Sequence, residues 1–314
     1  MVTASSKRGK LLRLGEMLWT VWQQRKWAEV VLIDTYSTWN FWYAVAVAGL
    51  CRRLGLKYIP ILHGGDLPSR LQRSPGASGR LFGGAFVNVV PSRYLEEVFS
   101  PADLADDADL SADKKLFRVV FIPNSIVLSN YAFRARRSVF PKILWVRAFQ
   151  DIYEPLMALK TLQELLPEHP EAELCMVGPD KDGSLQECRA YAEQYSLPVK
   201  VPGKLSKGEW TRLSEDYDLF LNTSEVDNAP VTLVEAMALG LPIVSTRVGG
   251  LPYLLTHEEN ALLVDSGKPE DLAAALERLL EDPALAERLS VAGRKKAEDY
   301  DWGVVKEKWA RLLG

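Results

Sequence analysis

One stretch of the sequence decides the fold, residues 222–250: NTSEVDNAPVTLVEAMALGLPIVSTRVGG. An apolar strand ends at Asn222, a polar loop follows, and Pro230 stands at the start of a helix that ends before Gly240. A second β-branched strand begins soon after that helix. A strand, a crossover helix and another strand in this order predict a parallel sheet covered by helices.

The same alternation runs along most of the chain and predicts an α/β protein. Strands are predicted at 30–34, 57–62, 86–90 and 117–122 in the first half, and at 142–146, 173–177, 199–201, 219–221, 243–245 and 262–264 in the second half. The strands of the second half form a doubly wound pattern. Apolar residues at helical spacing predict a helix at 10–27, ahead of the first strand.

The chain length predicts two domains, because single hydrophobic cores stop growing near roughly 250–300 residues and this chain has 314. The predicted domains are residues 1–130 and 131–299. Residues 124–141 are interpreted as the linker, since arginines interrupt the alternation there, and residues 101–113 as a solvated loop. The first domain lacks the glycine turn that opens a Rossmann domain, so its opening strand and helix are expected to be absent or the domain abbreviated.

Charge and composition exclude several classes of protein. The net charge of −3 provides no basic footprint for nucleic acid at the level of the whole chain. Cys51, Cys175 and Cys188 are far apart in sequence and predict a reducing compartment without a metal cluster. The longest apolar run, residues 41–51, is shorter than the ~20 residues that span a bilayer. With no secretory signal recognised at the start, a cytoplasmic location is expected.

Residues 1–30 are basic and rich in tryptophan. The basic residues are Lys7, Arg8, Lys10, Arg13, Arg25 and Lys26, against the acids Glu16 and Glu29, and the tryptophans are Trp19, Trp22 and Trp27. The more common arrangement for such a helix is packing on a sheet with its charged side chains in solvent. The alternative is peripheral contact of residues 7–27 with the anionic inner face of the membrane.

Two acids of the stretch 222–250 are brought to one place by the loop and the helix. Asp227 lies in the loop, and Glu235 follows eight positions later inside the helix. The first backbone N–H groups of the helix have no helical partner and suit a diphosphate, while Glu235 can accept from two ribose hydroxyls. Candidate binding residues are therefore Asn228, Ala229, Pro230, Val231, Thr232 and Glu235. Alternatively, Glu235 is only an acid in the first turns of the helix, where the helix dipole favours it. Asp227 is alternatively an N-cap or a solvated loop residue.

This spacing resembles the E-x7-E signature of the retaining glycosyltransferases of family 4, in the glycogen phosphorylase/glycosyltransferase (GT-B) superfamily. Asp227 stands where the first glutamate usually stands, and Glu235 matches the second. The resemblance implies a GT-B fold, in which two Rossmann-like doubly wound domains face a central cleft. It also implies that Glu235 binds the donor ribose and that Asp227 contacts the sugar ring near the anomeric centre. Asn228 and Ala229 replace the usual glycines of the loop.

Other short motifs resemble the family in the same order along nearly the whole chain. They are His63-Gly64-Gly65, Pro91-Ser92, Ile122-Pro123-Asn124, Val177-Gly178-Pro179 and Val248-Gly249-Gly250. The resemblance implies that His63 contacts the donor sugar, and the glycines Gly64 and Gly65 let a ligand approach the backbone. A structural histidine in a tight turn is the alternative.

The resemblance further implies that Arg147 binds the donor diphosphate. The family's lysine a few residues later is missing, since Ile152 and Tyr153 occupy that region. A departing diphosphate develops negative charge, which a cation or a helix end must stabilise. Lys181, in the loop 178–183 after another strand, is the predicted substitute. For Arg147 the alternative is an interdomain salt bridge.

Together these features predict a retaining glycosyltransferase that moves a sugar from a UDP-, GDP- or ADP-sugar to an acceptor hydroxyl, without a metal or a cofactor. The expected acceptor is a carbohydrate or a lipid-linked molecule, in polysaccharide, lipopolysaccharide or glycolipid synthesis. By the same resemblance, residues 300–314 are expected to pack back on the first domain. Two alternatives stay open: a catalytically impaired sugar-nucleotide-binding or scaffold protein, and an epimerase of the same fold. A glycosidase is disfavoured because no carboxylate pair at hydrolase spacing is recognisable.

Overall fold

The computed structural model describes residues 1–7, 9–100 and 117–314. The chain divides into two compact units, Met1–Pro123 and Asn124–Gly314. The loop predicted at 101–113 and the basic residue Arg8 lie outside the described residues. Within the described residues, each predicted strand is present, and its ends differ from the prediction by two residues at most.

The first unit contains a parallel four-stranded sheet whose strands follow chain order in its described residues. The strands are β1 Val30–Thr35, β2 Lys57–Leu62, β3 Asn88–Val90 and β4 Val119–Phe121. The helices are α1 Lys10–Gln24, α2 Asn40–Leu54, α3 Leu67–Arg73, α4 Pro75–Gly83 and α5 Arg93–Phe99. Helix α1 therefore confirms the helix predicted ahead of the first strand, although it ends a few residues earlier.

The second unit contains a parallel six-stranded sheet. Its strands are β5 Lys142–Val146, β6 Glu173–Val177, β7 Val199–Gly203, β8 Leu219–Asn222, β9 Ile243–Thr246 and β10 Leu262–Val264. Its helices are α6 Pro155–Leu165, α7 Ser184–Gln194, α8 Lys207–Leu213, α9 Val231–Leu239, α10 Leu251–Leu254, α11 Pro269–Glu281, α12 Pro283–Glu298 and α13 Trp302–Leu313. The strand order β10-β9-β8-β5-β6-β7 confirms the doubly wound prediction.

Both faces of the second sheet are covered, because successive residues of a strand point to opposite faces. On β5, Ile143 and Trp145 pack in the core that α6 and α11 complete. Leu144 and Val146 pack in the core on the other face, which includes apolar side chains of α9. The near-continuous apolar sequence of the strand follows from this double burial.

Helix α9 begins and ends where the sequence predicts. Pro230 is its N-cap, with extended backbone angles, and Gly240 is its C-cap at φ +78°. A Cβ at position 240 would lie 2.4 Å from the carbonyl oxygen of Arg134, so both the positive φ and the close approach require glycine. Helix α9 buries its residues from Leu233 to Leu239, including Glu235.

The boundary between the units lies before residue 124, earlier than the sequence predicts. Ile126 forms a parallel bridge with Asp301: its N–H donates to Tyr300 O (2.9 Å), and its carbonyl accepts from Trp302 N (2.7 Å). Arg136 is also buried and pairs with Asp218 at 3.2 Å. Residues 124–141 are thus packed within the second unit rather than forming a linker.

Residues 300–314 also belong to the second unit. Their pairing with Ile126 involves a stretch that the sequence analysis assigned to the first domain, and packing of helix α13 on the first unit itself stays a prediction. In the part of the chain that the structure describes, no helix is both long enough and apolar enough to cross a membrane.

Candidate functional site

The order in which strands are added to the second sheet reverses between β5 and β8. The candidate residues follow these two strands. The two strands are paired in parallel, so the segments that follow them leave the sheet at the same edge. Arg147 comes directly after β5, and the loop that carries Asp227 follows β8. In open α/β sheets such a switch point, at the carboxyl ends of the strands, forms a crevice where ligands bind.

Arg147 and Asp227 form an ion pair at this edge. The Nη2 atom of Arg147 donates to Oδ2 of Asp227, and the two side chains are 12% and 10% exposed. The same guanidinium donates through Nε to Asn222 Oδ1 at 3.4 Å. The family resemblance implies Arg147 for the diphosphate and Asp227 for the sugar, and the structure brings these two residues into direct contact.

Tyr153 is a partner of Arg147 that the sequence analysis missed. The Arg147 guanidinium lies over the Tyr153 ring, 4.8 Å from its centroid, an arrangement that stabilises a cation. Burial raises the pKa of Tyr153, and the positive charge of Arg147 opposes this shift. An aromatic ring that orients the arginine therefore occupies the region where the family's lysine is missing.

The loop 223–230 is anchored along most of its length. Ile152 O accepts from the backbone N–H groups of Glu225 (2.9 Å) and Val226 (3.3 Å), and Tyr153 O accepts from the Thr223 hydroxyl (2.8 Å). The Thr246 hydroxyl donates to Ser224 O (2.6 Å). Bonds to both neighbouring segments hold Asp227 in one position.

Three motif glycines allow backbone segments to approach this site. A Cβ at Gly178 would lie 1.7 Å from the carbonyl oxygen of Arg147. Cβ atoms at Gly249 and Gly250 would lie 2.2 Å from Asp227 O and 2.0 Å from Asn228 O. The Gly250 N–H also donates to Asp227 O at 3.1 Å. These glycines therefore position the ion pair through its backbone.

Gly178→Ala is expected to lower the free energy of unfolding by about 1–3 kcal/mol, because the new Cβ must displace the backbone of Arg147. The same displacement should reduce nucleotide binding. Chemical denaturation and nucleotide titration check both effects. Gly79→Ala is the matched control, since no atom lies within 4 Å of the added Cβ and the site is helical. Equal stability of the two variants would contradict the positioning role.

The N-terminus of α9 adjoins the same loop. Val231 and Thr232 are its first residues, where backbone N–H groups have no partner within the helix. Among the described residues, Thr232 Oγ1 is a buried hydroxyl without a hydrogen-bond partner. Asn124 Nδ2 donates to Ala229 O at 2.9 Å, which fixes the entry of the chain into the helix. A helix end with an unsatisfied hydroxyl is suited to an anion.

Glu235 is a buried carboxylate with two polar partners. Its Oε1 accepts from the Tyr131 hydroxyl at 2.7 Å and lies 2.9 Å from Lys207 Nζ. The Glu235 side chain is 2% exposed, whereas that of Lys207 is 70% exposed. Burial and the hydrogen bond to Glu235 raise the pKa of Tyr131. Both of these contacts are made by Oε1.

Tyr131 and Lys207 were also missed by the sequence analysis. Tyr131 is 104 positions from Glu235, and Lys207 stands at the start of α8, behind a capping box formed by Ser206 and Glu209. A lysine at a helix N-terminus opposes the helix dipole, which is the one local signal that marked Lys207 as unusual.

Lys181 lies in the loop after β6, the strand next to β5. Its backbone N–H donates to Phe149 O at 3.0 Å, and Asp182 Oδ2 accepts from Asp151 N at 2.9 Å. The loop is therefore fixed against the segment that follows Arg147. The Lys181 side chain is exposed, so the structure places it at the predicted sheet edge without assigning it a ligand.

His63 follows β2 in the first unit. Its Nε2 donates to Asp34 Oδ1 at 2.9 Å, and the Tyr36 ring stacks on the imidazole at 5.3 Å between centroids. The hydrogen bond from His63 lowers the pKa of Asp34. A Cβ at Gly64 would lie 2.7 Å from Ser37 N, so this glycine serves a close backbone approach. Asp34 and Tyr36 fix the ring of His63, a role the sequence analysis did not predict.

The cysteines Cys51, Cys175 and Cys188 are buried and free. Burial raises the pKa of Cys51 to about 11 and that of Cys188 to about 12, so both thiols stay protonated near neutral pH. Across residues 1–7, 9–100 and 117–314, no group of three or more His, Cys, Asp or Glu side chains is placed to hold a metal ion. Metal independence of the reaction stays a prediction.

Comparison with known families supports the interpretation of the second unit. Residues 135–296 match the family described as glycosyl transferases group 1, which is just over half of the 314 residues. The chain belongs to this family. The match includes Arg147, Lys181, Asp227 and Glu235.

Relatives with assigned names are similar over part of their length. A sulfoquinovosyl transferase of Arabidopsis thaliana is 29% identical over 148 residues, 46% of this chain and 28% of that protein. An amylovoran biosynthesis glycosyltransferase of Erwinia amylovora is 34% identical over 139 residues, 42% of this chain and 32% of that protein. The chain thus matches about a third of the length of these relatives.

Solved structures share the fold at low sequence identity. A protein of Anabaena solved in complex with UDP-glucose aligns with 100% of this chain and 85% of its own at a TM-score of 0.77 and 17% identity. Sucrose-phosphate synthase of Thermosynechococcus elongatus aligns with 97% of this chain and 78% of its own at a TM-score of 0.77 and 19% identity. The prediction of a GT-B fold with two Rossmann-like domains is confirmed.

Proposed function

We propose that this protein is a nucleotide-sugar-dependent glycosyltransferase whose donor nucleotide binds at the β5/β8 edge of the second sheet. The observation that carries the proposal is that Asp227, paired with Arg147, lies in the loop that leads directly into α9, the helix that contains the buried Glu235. A cation and a helix N-terminus suit a diphosphate, and the buried acid suits a ribose. The spacing along α9 supports this division, since Glu235 lies four residues, or about 6 Å, beyond Val231.

Each residue has a separate task in the proposed transfer. Arg147, the α9 N-terminus and Lys181 stabilise the charge that develops on the departing diphosphate. Glu235 accepts from the ribose hydroxyls. Asp227 positions the donor sugar, and the sugar contact of His63, Gly64 and Gly65 stays a prediction from the family resemblance. Asp227 compensates the charge of Arg147, so donor binding must divide the guanidinium's hydrogen bonds between the carboxylate and the phosphates.

The finer assignments are proposals that rest on the family resemblance. They are membership of family 4, retention of anomeric configuration, turnover without a metal or cofactor, and a carbohydrate or lipid-linked acceptor. The Erwinia relative supports the biosynthetic role, because its name refers to amylovoran biosynthesis. We propose a cytoplasmic location and a role in polysaccharide, lipopolysaccharide or glycolipid synthesis.

A donor screen tests the proposed function. UDP-, GDP- and ADP-sugars are compared for their effect on the melting temperature, since a ligand that binds only the folded state stabilises it. The donor found in this way is then incubated with candidate acceptors, and NMR of the product reports the anomeric configuration. The rate of transfer in the presence of a metal chelator tests metal independence. A protein that none of the sugar nucleotides stabilises would contradict the proposal.

Lys181→Ala is expected to lower kcat/KM for the donor about tenfold, because it removes one exposed cation from the diphosphate edge. The same substitution should leave the melting temperature of the free protein unchanged. Lys295→Ala, at an exposed position near the end of α12, is the control and should have wild-type kinetics. Wild-type turnover of Lys181→Ala would remove this residue from the site.

The second candidate function is binding of sugar nucleotides without turnover. The observation that favours it is the ion pair in which the arginine expected for the diphosphate is already compensated by Asp227. Stabilisation by a sugar nucleotide, with neither transfer nor hydrolysis over a range of acceptors, would select this candidate. Conversion of one sugar nucleotide into another without an acceptor would instead select the epimerase.

A further inference from the structure

Helices α1 and α2 of the first unit expose an apolar surface that the proposed transfer does not use. Helix α1 has no fully buried residue, and only Met17, Leu18 and Val21 of this helix pack against the core. Beside them an open groove of about 990 Å³ runs between the two helices. Gly15, Trp19 and Trp22 line it from α1, and Ala46, Gly49 and Arg53 line it from α2.

The surface around this groove is rich in exposed tryptophan. The exposed indoles are Trp19, Trp22 and Trp27 on or after α1, and Trp39 and Trp42 at the start of α2. Trp19 and Trp22 stack at 5.2 Å between ring centroids. Trp39, Trp42, Ala46, Gly49 and Arg53 recur at intervals of three and four, so they lie on one face of α2. Leu11 and Leu12 extend the apolar surface and are 85% and 70% exposed.

Basic side chains surround these indoles. The Arg25 guanidinium lies 4.0 Å from the Trp22 ring centroid, and Lys10 Nζ lies 5.5 Å from that of Trp39. Two further basic side chains are exposed: Lys26 follows Arg25 in sequence, and Arg53 lines the groove. The acid of α1, Glu16, accepts from the backbone N–H groups of residues 5–7, so its charge is directed towards the N-terminal segment.

We propose that the α1–α2 surface docks on an anionic lipid bilayer. Tryptophan is enriched at membrane interfaces because its ring is amphipathic, and basic residues near a membrane gain from the negative charge of anionic lipids. An apolar surface bordered by cations is better suited to an anionic bilayer than to an uncharged protein partner. The proposal extends the sequence-based interpretation of residues 7–27 to the exposed face of α2, and it does not depend on the proposed sugar transfer.

Vesicle binding of the full chain tests the docking surface. The protein is sedimented with vesicles of phosphatidylcholine alone or with about one third phosphatidylglycerol, a headgroup that gives the surface its negative charge. Binding to the anionic vesicles that falls with added salt is expected, together with weak binding to the neutral ones. Absence of binding to the anionic vesicles would overturn the proposal.

Paired variants separate the two contributions to docking. Arg25→Glu with Lys26→Glu should weaken binding to anionic vesicles by about 30-fold or more. Trp27→Ser should also weaken it, and because Trp27 is 83% exposed, the fold should tolerate the change. Trp302→Ser and Lys295→Glu, at exposed positions of the second unit, are the controls and should bind as the wild type does. Equal losses in the control and test variants would overturn the proposal.

Other occupants of the surface give different results. If a second copy of the chain covered it, the molecular mass in solution would rise with concentration, and Trp19→Ser with Trp22→Ser would abolish this without any vesicle binding in the wild type. That result would contradict the bilayer. Nucleotide-induced stabilisation is measured on the same variants and should be unchanged, so failure of docking is distinguishable from failure of the proposed transferase function.

Discussion

Arg147→Ala is expected to lower kcat for sugar transfer by about 10²–10³, the cost of removing one fixed donor to a developing anion. The guanidinium is fixed by Asp227, by Asn222 and by the ring of Tyr153, so its position requires little reorganisation when the diphosphate departs. Steady-state kinetics with the identified donor measure the effect. Arg147→Lys should recover little activity, because lysine lacks the planar fork that contacts two partners at once.

The same substitution should also destabilise the fold. Removing one partner of this largely but not fully buried ion pair leaves the other uncompensated, which costs about 1–3 kcal/mol. Arg147→Met combined with Asp227→Asn removes both charges and should regain most of that stability without regaining activity. Arg137→Ala is the control, since its side chain is 80% exposed and pairs with Glu287 on the surface. If the double variant regained transfer as well as stability, Arg147 would have a structural role alone.

Glu235→Ala is expected to weaken binding of the nucleoside diphosphate by about 10–100-fold, because hydrogen bonds to charged groups contribute roughly 1.5–3 kcal/mol. Isothermal titration with the diphosphate and with its deoxyribose analogues separates this contact from general damage. The wild type should bind the ribose form more tightly than the deoxy form. The variant should bind both equally, since the acceptor of the hydroxyl hydrogen bonds is gone.

Tyr131→Phe provides the matched control for Glu235. It removes the 2.7 Å hydrogen bond to Oε1 and keeps the carboxylate, so the preference for ribose over deoxyribose should persist. A deoxy analogue that the wild type binds as tightly as the ribose form would remove Glu235 from the ribose contact. The ion pair with Lys207 would then be its main role.

Much of the second unit could be predicted from sequence, since its signals are local. Alternating apolar strands and helices predict the sheet, and Pro230 and Gly240 mark the ends of α9. The partners of Arg147 and Glu235 could not be predicted in the same way. Tyr131 reaches Glu235 across 104 positions, a contact that only the folded sheet creates.

The division into two units differs from the predicted boundary for a related reason. Residues 124–141 were interpreted as a linker because arginines interrupt the alternation of strands and helices there, yet Ile126 is bonded to a segment near residue 301. Arg136 looks like a solvated residue in the sequence and is 3% exposed in the structure, because Asp218 compensates its charge. Local composition does not reveal a partner contributed by a distant segment.

The glycines at 178, 249 and 250 restrict any redesign of this protein in a particular way. None offers a side chain to a ligand, yet each faces a carbonyl oxygen of a residue in the ion pair or next to it. An engineer who seeks a new donor specificity is free to vary Lys181, whose side chain is exposed. A library that also randomises the three glycines would consist mainly of chains that have lost the scaffold on which any new specificity depends.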